Sequence, residues 1–143
     1  EKMALREALR PAAGARLFAH ELHAFVWGRG PAQRRFEDWS QAIAELPQPR
    51  GRVRSWPVAT VFGFLARPDK HLFLKPQVTR RAARAYGFDL PYDATPGWKV
   101  YEGLMTFAAI IRRDLDRHVG FHARDMIDVQ SFIWVQGAQE YET

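Results

Sequence analysis

The sequence predicts a mainly α fold, a single-domain bundle of five to seven helices over residues 1–143 with at most a short extended segment near residues 71–74. Three observations carry this. Apolar residues recur at alternating three- and four-residue spacing, the period of one face of an α-helix. Prolines stand repeatedly where such a stretch begins and glycines where it ends. At 143 residues and 47% hydrophobic content, the chain has the material for one core.

In order, residues 1–10 read as helical, with Leu5 and Leu9 at i, i+4, up to Pro11. After the Pro11–Gly14 break, Ala15 to Trp27 resumes the pattern through Leu17, Leu22, Phe25 and Val26, closed by Gly28 and Gly30. Pro31 opens the next helix, in which Phe36, Trp39, Ile43 and Leu46 form an amphipathic face and Arg34 and Asp38 are spaced to pair outside. Residues 47–57, with three prolines, Gly51 and the alternating Arg50, Arg52 and Arg54, read as an exposed loop. Pro57 to Ala66 is apolar throughout, with Val58, Val61, Phe62 and Leu65 at helical spacing. Its β-branched residues and Gly63 pull towards strand, but its length and flanking prolines favour a short buried helix.

Arg67 to Phe88 concentrates charge and turn signals. His71 to Leu74 reads as extended between Pro68 and Pro76. Pro76 then suits the first turn of a helix running to Tyr86, with Gly87 as a left-handed stop. On it Val78, Ala82 and Ala85 share one side, a small-residue face that lets a neighbour approach closely. Arg80, Arg81 and Arg84 fall within about 100° of one another on another side. The clearest helix follows: Thr95 as N-cap, Pro96 at the first position, then Tyr101, Leu104, Ala108, Ile111 and Leu115 as far as Gly120, widened by Val100, Met105, Phe107 and Ile110. The breadth of that stripe marks the central helix of the bundle. The last helix spans residues 124–137, with Asp125 as cap, Asp128 reaching back in a capping box, Met126, Val129 and Ile133 facing the core, Phe132 and Trp134 extending that face, and Gly137 as stop.

Charge is spread unevenly. Residues 1–66 carry 10 basic and 6 acidic groups, residues 67–88 carry 6 and 1, and residues 89–143 carry 5 and 9. Such polarity orients a molecule towards a polyanion or lets one half attract the other. Of the 21 basic residues 17 are arginine, which suits bidentate phosphate contacts but equally reflects a composition rich in alanine. No cysteine is present, so disulfides and thiol chemistry are excluded. No signal-peptide pattern and no apolar run of roughly 20 residues appears, so no membrane partner is expected and a cytoplasmic location is the default. The chain opens at Glu1 without an initiator methionine, which fits a trimmed chain as well as a piece of a longer protein.

Few chemical motifs stand out. His20 and His23 flank Glu21 and Leu22 one residue short of the i, i+4 spacing that puts two imidazoles on one zinc. His118 and His122 have that spacing, but Gly120 between them ends the helix. Surface histidines and no metal or cofactor are the expectation. Thr79, Ala83 and Gly87 occupy helix-turn-helix positions, yet Pro91 and Pro96 interrupt the segment that would form the recognition helix. Read instead as a strand, residues 124–137 would put Asp128 and Gln130 on one face, mimicking PD-(D/E)xK nucleases with Pro68 and Asp69 as the distant acid; glutamine stands where the lysine is needed. No phosphate-cradling glycine loop or nucleophile elbow is present.

The stretches PDKHLFLKP, YDATPGW and RDMIDVQSFIWV together resemble an uncharacterised family of bacterial proteins, over Pro68 to Val135. The resemblance implies no activity, so no catalytic residue is carried over.

The first functional expectation is a nucleic-acid-binding module. Its candidate residues are Arg50, Arg52, Arg54, Lys70, Lys75, Arg80, Arg81 and Arg84, with Tyr86, Tyr92 and Trp98 as aromatics able to stack on bases and Trp98 favoured as core. The Arg50–Arg54 loop reads as a phosphate clamp or as a solvated connector, with the connector favoured. A helical interaction domain for an acidic protein partner, without catalytic activity, is the alternative. A nuclease-like enzyme is the second alternative.

Overall fold

The computed structural model describes residues 2–47 and 51–139. Among them are seven helices and no strand. These are α1 (Lys2–Ala8), α2 (Ala12–Trp27), α3 (Ala32–Glu45), α4 (Trp56–Ala66), α5 (Pro76–Tyr86), α6 (Trp98–Asp116) and α7 (Met126–Gly137). The fold is thus a mainly α bundle. Residues 71–75 are neither helix nor strand, and His71, Leu72 and Leu74 on that stretch are buried.

The helices form two groups joined by α6. Helix α2 packs on α3 and α4, α5 packs on α7, and α6 touches both α3 and α7. One apolar cluster draws residues from all seven, centred on Phe36, Trp39, Trp56, Leu104, Phe107 and Ile133. The predicted α3 face is the best match: Phe36, Trp39, Ile43 and Leu46 are all buried. Arg34 and Asp38 face each other outside at 3.8 Å. Within the core His71 Nδ1 lies 2.6 Å from the Tyr101 hydroxyl. Burial, with the charges of Arg35 and Arg67 beside it, pushes the His71 pKa down to about 4, so the imidazole stays neutral near pH 7.

Several sequence expectations are corrected. Helix α2 starts at Ala12, so Gly14 lies inside it rather than in a break, and a Cβ at that position would meet the Ala8 carbonyl oxygen at 2.4 Å, where α1 ends against α2. Ser55 caps α4 through the Val58 N–H, and Trp56 opens the helix. Its buried side is Trp56, Val58, Ala59, Thr60 and Gly63, while Leu65 is 69% exposed. Helix α6 begins at Trp98 with Gly97 as cap, not at Thr95 and Pro96. The groups of those two residues are committed elsewhere: the Thr95 N–H donates to Asp93 Oδ1, its hydroxyl accepts from Arg52, and the Pro96 carbonyl accepts from Ser40 and Arg54. At its other end α6 stops at Asp116 rather than at Gly120.

On α5 the buried residues are Val78, Thr79, Ala82 and Ala83, and Ala85 faces out. Pro76 opens this helix as expected. Gly87, at φ 77° and ψ 20°, closes it with its N–H on Arg84 and the Phe88 N–H on Ala83, the paired bonds of a Schellman motif. Asp125 caps α7 by accepting from the Ile127 N–H. Asp128 reaches one residue further back than a capping box requires, to the Arg124 N–H. Gly137 does not stop α7 by a left-handed turn; it is helical, and a Cβ there would stand 2.0 Å from the Val78 carbonyl oxygen. The missing side chain lets α7 approach the α5 backbone closely. Gly137→Ala should therefore force the two helices apart and lower stability by about 1–3 kcal/mol. An unchanged urea midpoint would show that this contact is not tight in solution.

Candidate functional site

The predicted cationic residues are brought together around α5, with two exceptions. Pro76 and Gly87 fix the ends of the helix, and burial of Val78, Thr79, Ala82 and Ala83 turns the remaining face outward. Arg80 and Arg84 are exposed on that face and Arg81 is half-buried. Lys75, just before the helix, holds its ammonium 4.3 Å from the centre of the Trp134 ring. The Arg80 guanidinium lies 4.5 Å over the ring of Tyr92. Both are cation–π contacts on partly buried rings, worth about 0.5–1 kcal/mol each at such sites.

Three adjoining clefts run along this surface. The first, of about 540 Å³, lies between the start of α5 and the end of α7 and is lined by Lys75, Gln77, Arg81, Trp134 and Gln139, with Pro57, Pro76 and Val78. The second, of about 220 Å³, shares Pro57 and Pro76 with the first and adds Arg52, Arg54 and Tyr92. The third, of about 280 Å³, shares Tyr92 and adds Arg80, Arg84 and Asp89. Shared walls place the Arg52–Arg54 segment and the α5 face on one continuous surface.

Residues 53–56, just before and at the start of α4, are not the exposed connector the sequence suggests, although Gly51 and Arg52 are exposed. Val53 and Trp56 are buried, and the Trp56 indole N–H donates to the Asp93 carbonyl at 2.6 Å. Arg54 donates through Nε to the Ser40 hydroxyl at 3.1 Å and through Nη2 to the Pro96 carbonyl at 2.9 Å. Arg52 Nη2 donates to the Thr95 hydroxyl at 3.1 Å. These two guanidiniums tie residues 52–54 to residues 95–96, so Arg54 is a strut first and a source of positive potential second. Arg50 lies outside the described residues. Lys70 sits in the turn after α4, its N–H on the Arg67 carbonyl beside Asp69, and lines none of the three clefts.

Cations elsewhere are of both kinds: Arg6, Arg16, Arg29 and Arg112, for example, have no carboxylate within 4 Å among the described residues, so this surface is set apart by how many cations adjoin one another. Arg10, Arg34, Arg67, Arg113, Arg117 and Arg124 each stand within 4 Å of an Asp or Glu. Among the described residues, Arg52, Arg54, Lys75, Arg80, Arg81 and Arg84 have no such carboxylate partner. A larger, more apolar cleft of about 670 Å³ beside the end of α6 and α7 carries Asp114 and Asp128 instead. Hydrogen bonds from Tyr86 and Arg113 hold the Asp114 carboxyl below the usual range, and those from Arg124 do the same for Asp128. Both acids are thus already satisfied within the fold.

Of the aromatics named from sequence, only Tyr92 belongs to the cationic surface. Tyr86 donates its hydroxyl to Asp114 and packs edge-on against Phe107 and Phe132, and burial with that bond pushes its pKa up to about 12. Trp98 packs against Phe36 and Tyr101. Trp134, read from sequence as part of the core face, lines the largest of the three clefts. The available signal was its position, one residue and about 100° beyond Ile133 on the helix.

The nuclease geometry fails. On α7, a helix, Asp128 and Gln130 are about 200° apart rather than on one face. Asp69 is engaged by Arg67 at 2.9 Å and Asp128 by Arg124 at 3.2 Å. His20 and His23 are exposed on α2, and His122 Nδ1 lies 2.7 Å from Asp116. Among the described residues no group of three or more His, Asp or Glu is placed to share a metal. No helix among them is long and apolar enough to cross a membrane. Residues 88–97, where a recognition helix would stand, are not helical.

No family model matches the chain, and neither does any curated protein or solved structure.

Because Arg54 serves as a strut and Arg84 does not, their alanine variants should differ in stability. Arg54→Ala removes donors from Ser40 and Pro96 and should cost about 1–2 kcal/mol, whereas Arg84→Ala should stay within about 0.5 kcal/mol of wild type. Equal urea midpoints for the two variants would contradict this division.

Proposed function

We propose that the chain is a nucleic-acid-binding module that contacts phosphates through the α5-centred surface. The observation that supports this best is a juxtaposition: Arg52, Arg54, Lys75, Arg80, Arg81 and Arg84 line three adjoining clefts, and none of them has a carboxylate within 4 Å among the described residues. Clustering six like charges is unfavourable by itself, because each raises the potential at the others. A polyanion relieves that repulsion on binding and gains further from counterion release. Arg80 and Arg84, exposed, and Arg81, half-buried, supply guanidiniums with five N–H donors each for phosphate oxygens. Arg52 and Arg54, held by Thr95, Ser40 and Pro96, add fixed positive potential next to them.

Contacts of this kind position the protein without reading bases, so affinity should depend little on sequence and fall steeply with salt. Binding to oligonucleotides of arbitrary sequence, followed by anisotropy between about 50 and 200 mM salt, tests this. Replacing Arg80, Arg81 and Arg84 together by Ala should reduce the slope of log K against log salt by about 2 to 3 if all three touch phosphate. Wild-type protein that binds no nucleic acid at about 50 mM salt, where screening is weak, would overturn the proposal. A stable complex with an acidic protein that survives nuclease treatment would then point to the interaction-domain alternative.

A further inference from the structure

We infer that this surface takes a single strand in preference to a duplex, and that the cleft between α5 and the end of α7 holds one unstacked base against Trp134. The inference rests on the nucleic-acid reading and adds strand type and a base site to it. Phosphate contacts alone call for an exposed cationic face; they give no reason for a concave cleft walled by an indole. The cleft of about 540 Å³ has that wall in Trp134, apolar sides in Pro57, Pro76 and Val78, and Lys75 and Arg81 at its edge. This is the combination that single-strand sites use: an aromatic ring for the base and a cation for the adjoining phosphate. In a duplex both faces of each base are stacked on neighbours, so the ring would have nothing to receive.

The ring face is covered by Lys75, whose ammonium lies 4.3 Å from its centre. A base entering the cleft takes that face, and the displaced ammonium moves to the phosphate beside it. The exchange is favourable because stacking of a base on an aromatic ring outweighs an exposed cation–π contact, and the cation gains a formal negative charge in place of a quadrupole. Gln77 and Gln139 border the same cleft. Each amide both donates and accepts, so either edge pattern of a base can be met, and tolerance of sequence follows. A second ring of the same kind lies further along: Tyr92, under Arg80, forms a wall common to the other two clefts. Two rings, each attended by a cation, suit successive nucleotides of one strand.

The test compares three labelled ligands at one salt concentration: a short oligothymidine, the same sequence as a duplex, and a strand of equal length made of abasic sugar-phosphate. Wild-type protein should bind oligothymidine about tenfold or more tightly than either of the others. Oligothymidine should also quench tryptophan fluorescence, and Trp134→Phe should lose that quenching while binding several-fold more weakly. The comparison of ligands uses wild-type protein alone, so it stands even if the variant does not fold. Equal affinity for all three would overturn the base site and leave the phosphate reading intact. Failure to bind any of them would overturn both.

Discussion

Packing of α5 on α7 with almost no space between backbones is the constraint from which the candidate site follows. Gly137 lies so close to the Val78 carbonyl that a methyl group would overlap it, and Val78, Ala82 and Ala83 keep the facing side of α5 low. Larger residues at these positions would hold the helix axes further apart. With the axes this close, the end of α7 is carried alongside the start of α5. Trp134, Ala138 and Gln139 thereby come to face Lys75, Pro76 and Gln77 across a cleft rather than solvent. The same contact buries one side of α5 completely enough that its three arginines have only the outer side to occupy.

A second set of contacts places the remaining cations. The irregular segment before α6 is pinned by polar bonds to elements distant in sequence: the Trp56 indole on the Asp93 carbonyl, Arg54 on Pro96 and Ser40, and Arg52 on Thr95. These bonds satisfy carbonyls that no helix uses, which matters because buried or half-buried backbone groups need partners. They also hold Tyr92 where Arg80 covers it. Two arginines predicted as clamp residues, Arg52 and Arg54, thereby donate to the protein's own oxygens.

Legibility in the sequence followed the strength of local signals. Helix α3 was readable because Phe36, Trp39, Ile43 and Leu46 repeat on one face, and α5 because Pro76 and Gly87 fix both ends by backbone chemistry. The start of α6 was misread for a definite reason: Thr95 and Pro96 have the right residue types for a helix N-terminus, but their hydrogen-bonding groups are recruited by Asp93, Arg52, Ser40 and Arg54, and tertiary bonds override local preference. Gly137 looked like a stop signal because the neighbour that requires it lies 59 positions away at Val78. For the site, the clustering of Arg80, Arg81 and Arg84 was visible from the helical period alone. The place of Trp134 was not, since its role depends on which side of α7 meets α5. The arginine ion pairs were partly legible, since those among the described residues all join positions within four of each other and Arg34 and Asp38 pair at the spacing the sequence shows.

The central claim is that the cation-lined clefts beside α5 are where nucleic acid lies. Photo-crosslinking of a bromouridine-substituted single strand, with the crosslinked peptides identified by mass spectrometry, tests it most directly. The account predicts adducts within residues 75–84, at Tyr92 and at Trp134, suppressed by raised salt. Adducts confined to α2 and α3, with none on α5 or α7, would contradict it.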